Sequence, residues 1–145
     1  MVKLFSTRAH GVLDYMTAGT LVALPRALGW SDDVTKWLTG MALGTIAYSA
    51  VTRYELGLLK WLPVKGHLTL DALNGGLFCM APLIFPEEDS TVKGALVGIG
   101  LFELLVTLTT ETESSYAEQS SEFVDTVIDQ IQDPVELLNE RAAGA

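Results

Sequence analysis

Four apolar stretches, each closed off by charged residues, set the limits on what this chain can fold into. They run between Arg8 and Arg26, Lys36 and Arg53, Lys65 and Glu87, and Lys93 and Glu111. Inside them the only acidic or basic residues are Asp14, Asp71 and Glu103, and the second stretch has none. A helix needs ~20 mostly apolar residues to cross a bilayer, with ~17 at the short end. Each stretch is close to that length, and each is apolar around most of a helical circumference rather than along one stripe. From Gly40 to Val51 only Thr45, Tyr48 and Ser49 offer polar side chains besides glycine. The pattern predicts an all-α integral membrane four-helix bundle, with spans at about 10–29, 34–53, 67–85 and 92–110. A soluble four-helix bundle is the alternative, and it would need polar faces on these helices.

Composition agrees with an apolar body and adds a polar tail. Hydrophobic residues make up 49% of the 145, and the mean hydropathy of +0.33 is high for a soluble protein. The net charge of −9 is uneven. Residues 111–145 hold nine acids against one base, Arg141, so −8 lies in the tail and −1 in the body. Phosphates would repel such a tail, which argues against nucleic acid as a partner. The single cysteine, Cys79, excludes an internal disulfide and is expected to act as a small buried hydrophobe. Residues 1–10 carry no signal-peptide pattern, so the first span is expected to serve as its own membrane signal.

The connections fit hairpins. Ser31-Asp32-Asp33 can cap the second helix, and Pro86-Glu87-Glu88-Asp89-Ser90 the fourth. The middle connection, ELGLLKWLPVKG over residues 55–66, places Leu58, Leu59, Trp61 and Leu62 beside Lys60 and Lys65, as in a segment lying at a membrane interface. Six bases (Lys3, Arg8, Arg53, Lys60, Lys65, Arg141) lie on the side of the termini and three (Arg26, Lys36, Lys93) on the other. The bias predicts a multi-pass inner (plasma) membrane protein with both termini cytoplasmic.

Beyond Glu111, Phe123, Val124, Val127, Ile128 and Ile131 recur near helical spacing among acids. This reads as an amphipathic helical tail, either simply solubilising or binding a partner or sister subunit through that apolar face.

The two halves of the body align. His10-Gly11-Val12-Leu13-Asp14 matches His67-Leu68-Thr69-Leu70-Asp71 at an offset of 57, as does Pro25 with Pro82. Gly40 and Gly98, and Thr52-Arg53-Tyr54-Glu55 and Thr110-Glu111-Thr112-Glu113, match at 58. Two parallel helical-hairpin repeats are predicted. With Tyr15, Leu56 and Gly57 added, these motifs resemble the SPW-repeat family of small bacterial and archaeal membrane proteins over about residues 5–110. The resemblance implies four spans in two repeats and no established biochemical activity. The chain departs from the naming motif at Leu24-Pro25-Arg26 and Ala81-Pro82-Leu83, which keep only the proline, and in its acidic tail.

His10 and Asp14 share a helix face at i, i+4, and so do His67 and Asp71. Glu103 should reach a similar depth, with Arg53 a candidate counter-ion and Asn74 one turn beyond Asp71. Ionisable groups within a bilayer are costly unless paired, and default to a functional hypothesis. Three readings stay open. The groups hold helices together as polar glue; they bind a metal (His10, His67, Asp14, Asp71) or a non-covalent haem; or they relay protons or ions. No cofactor is expected under the first, and no nucleophile, Walker or Rossmann motif points to an enzyme. Gly40, Gly44, Gly98 and Gly100 are expected to let helices approach closely, which also suits a homo-oligomer; Gly75-Gly76 lies mid-helix. The predicted function is a non-enzymatic membrane scaffold or accessory subunit, the alternative being a small transporter, channel or metal- or haem-binding membrane protein.

Overall fold

The computed structural model describes residues 3–114 and 121–128. The described residues are all-α. Five helices form the body: α1 Thr7–Leu28, α2 Asp32–Val51, α3 Val64–Cys79, α4 Ala81–Ile84 and α5 Ser90–Thr109. A sixth helical segment, α6, covers 121–128. There α6 exposes Phe123, Val124 and Ile128, with Val127 half-buried, while Ile131 lies outside the described residues.

Helix starts follow their caps. Ser6 Oγ accepts the amide of Ala9 at the head of α1, and Ser31 Oγ that of Val34 at the head of α2. Asp89 accepts two amides, those of Val92 and Thr91, at the head of α5, and these bonds hold its carboxyl below the usual carboxylate range. Because capping begins at Ser6 and Ser31, α1 and α2 start two or three residues before the apolar pattern does. Both α2 and α5 end on a threonine, Thr52 and Thr110, whose backbone turns extended.

The third apolar stretch is not one helix. Pro82 has no N–H to give Phe78, and the helix breaks between Cys79 and Ala81 before ending near Phe85. Pro25 is accommodated within α1, four residues before Gly29 takes the left-handed conformation that ends the helix. Among the described residues only α5 is both long and apolar enough to cross a membrane by itself. α3 is too short at 16 residues. α1 and α2 have the length, but Arg8, His10, Asp14 and Arg26 in α1 and Asp32, Asp33 and Lys36 in α2, together with glycines and threonines, lower their hydropathy. The expectation of four spans of equal standing is corrected on this point.

α1 packs mainly on α2, and α3 on α5. The apolar core lies towards the turns at 29–31 and 85–89. It contains Leu21, Val34, Leu38, Phe78, Val92 and Leu96, with Trp37 edge-on to Phe78 and Phe85. Cys79 is half-buried and unpaired rather than fully buried. The glycine expectation is corrected in part. A Cβ on Gly40, Gly44 or Gly98 would meet nothing within 4 Å, because all three face outward. The close approach is made instead by Gly75 and Gly100, where a Cβ on Gly100 would stand 2.6 Å from the Gly75 carbonyl oxygen.

At the other end, two chain segments close over the ends of α2 and α5. The middle connection folds back so that Leu58 and Leu59 give their amides to Ala50, and Trp61 and Leu62 give theirs to Val51. Lys60 takes a positive φ of 54°, and Leu58, Leu59 and Trp61 project outward. The amino terminus does the same at α5, where Leu4 and Phe5 bond the Thr109 carbonyl. The parallel bridges Thr52–Leu62 and Phe5–Thr110 mark the two closures. Ser114, buried, donates to the Arg53 carbonyl, so the body reaches four residues past the expected boundary at 110.

Candidate His/Asp centre

The i, i+4 spacing places each His and Asp on one face of α1 or α3, and the two faces meet. His10, Asp14, His67 and Asp71 are 4, 7, 1 and 2% exposed. The Nε2 atoms of His10 and His67 lie 3.2 Å apart. His10 Nε2 is 2.9 Å from Asp71 Oδ2 and 3.3 Å from Asp14 Oδ1. His67 Nε2 is 3.0 Å from Asp14 Oδ2 and 3.1 Å from Asp71 Oδ2. Each histidine therefore touches the carboxylate of its own helix and that of the other.

Two threonines orient the rings. Thr110 Oγ1 donates to the Val106 carbonyl at 2.7 Å, and Thr52 Oγ1 to the Tyr48 carbonyl at 2.7 Å. A hydroxyl has one proton, so both oxygens are left as acceptors. They sit 2.9 Å from His10 Nδ1 and His67 Nδ1 respectively. The network assigns the ring proton to Nδ1 in both histidines and turns Nε2 towards the carboxylates. Thr52 comes from the hairpin that holds His10, and Thr110 from the one that holds His67. Each half thus orients the other's imidazole.

A second layer fixes the carboxylates. Tyr48 donates to Asp71 Oδ1 at 2.7 Å and receives the Asn74 side-chain amide at 3.0 Å. Asp14 Oδ2 accepts from Ser49 at 3.2 Å and Tyr54 at 3.4 Å. Burial pushes the Tyr54 phenol up, so it remains a donor. Gly11 makes room for this ring: a Cβ there would stand 2.0 Å from a Tyr54 ring carbon.

The expected cluster is corrected at Arg53 and extended elsewhere. Arg53 is exposed, and its Nε donates to the Lys60 carbonyl at 2.7 Å, so it is not the counter-ion of the centre. Asn74 reaches Asp71 only through Tyr48. Glu103 lines a cavity of about 20 Å³ together with His10, Asp14, Thr45, Asp71 and Thr107. That volume accommodates about one water molecule. Glu103 Oε2 and Thr107 Oγ1 are buried there without a protein partner. Thr52, Thr110, Tyr48, Ser49 and Tyr54 were not among the expected site residues. The offset of 58 pairs Thr52 with Thr110 in the sequence, but only the fold brings them to the rings.

With both rings neutral, Nε2 presents a lone pair, and the centre becomes two nitrogens and two carboxylates, all acceptors, within 4.8 Å of one another. Such a set demands positive charge, supplied by protons or by a metal. A haem shared between the histidines is excluded, because nitrogens 3.2 Å apart leave no gap for the macrocycle. No protein-family model, curated protein or solved structure matches this chain.

Proposed function

We propose that this chain is an integral membrane protein of four spans (α1, α2, α3 with α4, and α5) built from two copies of one hairpin. Its role is non-enzymatic, as a scaffold or accessory subunit. One observation carries the membrane reading: polarity is inverted between inside and outside. Leu73 on α3 is 61% exposed while Asp71, two residues away, is 2% exposed. Met16, Leu43, Leu101 and Leu105 are likewise exposed. An aqueous fold would bury such leucines and hydrate the carboxylates, whereas a bilayer favours the arrangement seen. The outer face of α2 has no charge between Lys36 and Arg53, and supplies Gly40 and Gly44 as open surface for a neighbouring helix.

The duplicated reading is supported position by position. His10 and His67, Asp14 and Asp71, and Leu21 and Phe78 are buried pairs 57 apart; Val34 and Val92, Leu38 and Leu96, and Thr52 and Thr110 are buried pairs 58 apart. The caps Ser31 and Asp89 also lie 58 apart. In this reading the His/Asp end and both termini face the cytoplasm and Trp61 sits at the interface of the inner membrane, supported by the six-to-three bias of basic residues.

Alkaline carbonate extraction of membranes expressing the chain tests the first claim. Retention in the pellet is expected, and release to the supernatant overturns it. Truncation after Ser114 tests the scaffold: oligomeric state and co-purifying partners should change. A truncated chain with unaltered assembly removes the tail from that role. A second reading, an ion-handling membrane protein, is favoured by the cavity at Glu103, and flux in proteoliposomes that E103Q abolishes would replace the scaffold with it.

A further inference from the structure

We propose that His10, Asp14, His67 and Asp71 are the ligands of one divalent transition-metal ion of the zinc class. The first ground is geometric. Ligand atoms of a tetrahedral ion with bonds of ~2.0–2.1 Å are about 3.3–3.4 Å apart, the edge of the tetrahedron. The five His–His and His–Asp separations are 2.9 to 3.3 Å. Asp14 reaches His10 through Oδ1 and His67 through Oδ2, so a coordination shell forms when this carboxylate turns one oxygen to the centre of a set whose four ligand atoms already lie within 4.8 Å of one another.

The second ground is the position of the protons. Nδ1–H of each imidazole is donated to a threonine oxygen whose own proton is already given away. Metal-binding histidines carry this kind of outer partner, which leaves Nε2 as the ligand atom. The third ground is charge. Two carboxylates bring −2. Protonating both rings also balances that charge and gives each Nε2–H a carboxylate at 2.9–3.0 Å, but it holds two cations with their Nε2 atoms 3.2 Å apart, and protonating one leaves a buried excess of negative charge. A divalent cation neutralises both carboxylates and uses both lone pairs. Two imidazoles with two carboxylates suit borderline cations of the zinc type better than calcium or magnesium, which favour all-oxygen shells. The adjoining cavity then holds water beside the ion, and Glu103 Oε2 and Thr107 Oγ1 gain the hydrogen-bond partner that the protein does not supply.

The inference is independent of the membrane reading, since carbonate extraction reports nothing about metal. The full chain, purified in detergent, is stripped with a chelator and offered Zn²⁺ or Co²⁺. About one ion per folded chain is expected, with Co²⁺ giving the intense visible bands of four-coordinate cobalt. T52V and T110V remove only the outer partners, and should bind about 10- to 100-fold more weakly while staying folded. R53A, at a surface position, should bind like the parent. H10A with H67A should retain less than a tenth of the ion. Folded parent protein that takes up neither ion overturns the proposal. So does binding with unchanged affinity in both threonine variants, a result that keeps its force even if the histidine variants fail to fold.

Discussion

The two halves hold equivalent carboxylates in unequal surroundings. Asp14 receives Ser49 and Tyr54. Asp71 receives Tyr48, yet Thr107, 58 positions after Ser49, keeps a buried hydroxyl without a partner. Thr45 lies 3.2 Å from the Tyr48 hydroxyl, while Glu103, 58 positions after it, leaves Oε2 unpaired. The difference separates what the fold requires from what it does not. Residues alike in both halves, the histidines, aspartates and helix-end threonines, build the centre. Residues that differ open a cavity on one side of it. Buried polar groups are costly when unmatched, so the Glu103 side is where stability has been given up.

The largest expected effect comes from the shared residues. D71A should destabilise by about 3–5 kcal/mol, because it leaves two histidines facing one carboxylate. D14A should cost less, since Asp71 makes the shorter contacts and holds Tyr48. Denaturation in detergent would measure both, and a costlier D14A would break the comparison. Next, G100A should cost about 1–3 kcal/mol by driving a Cβ onto the Gly75 carbonyl, whereas G98A, facing outward, should stay within about 0.5 kcal/mol. Of similar size but opposite sign, E103L should stabilise the metal-free protein by about 1–3 kcal/mol by removing a buried oxygen that no protein group satisfies. A destabilised E103L would mean that Glu103 has a partner in solution. A smaller loss than that of G100A belongs to Y54F, which gives up one long hydrogen bond to Asp14 and should cost about 0.5–1.5 kcal/mol. Y48F, losing a shorter bond to Asp71, should cost more.

Much of this was legible in the sequence, for reasons that are local. Charges bounding the apolar stretches mark the helices to within a few residues. The i, i+4 rule puts His and Asp on a common face, and the caps at Ser31 and in the 86–90 turn follow from side-chain chemistry. What stayed hidden is set by contacts between distant segments. Arg53 looks like a counter-ion because it ends α2, but the fold-back at Lys60 captures its guanidinium. Glycine spacing pointed to Gly40, Gly44, Gly98 and Gly100, yet only packing decides which of them faces another helix, and of the four only Gly100 does, against Gly75. The break at Met80 needed Pro82 to matter more than Pro25, although the two are equivalent in register. Tyr48 carries no motif, Tyr54 stands in one that does not point to the carboxylates, and both reach them only through the turn of α2 and the connection after it.

The crossed arrangement of Thr52 with His67 and Thr110 with His10 has a consequence for the order of events during folding. Neither hairpin can orient its own histidine. A hairpin made first, with its partner not yet synthesised, holds a ring whose Nδ1 proton has no acceptor and whose tautomer is free to change. The centre therefore closes last, after both hairpins have docked, and it closes only on a chain whose two halves are both present and in register. Its completion is a record that assembly has succeeded, written in the protonation of two imidazoles.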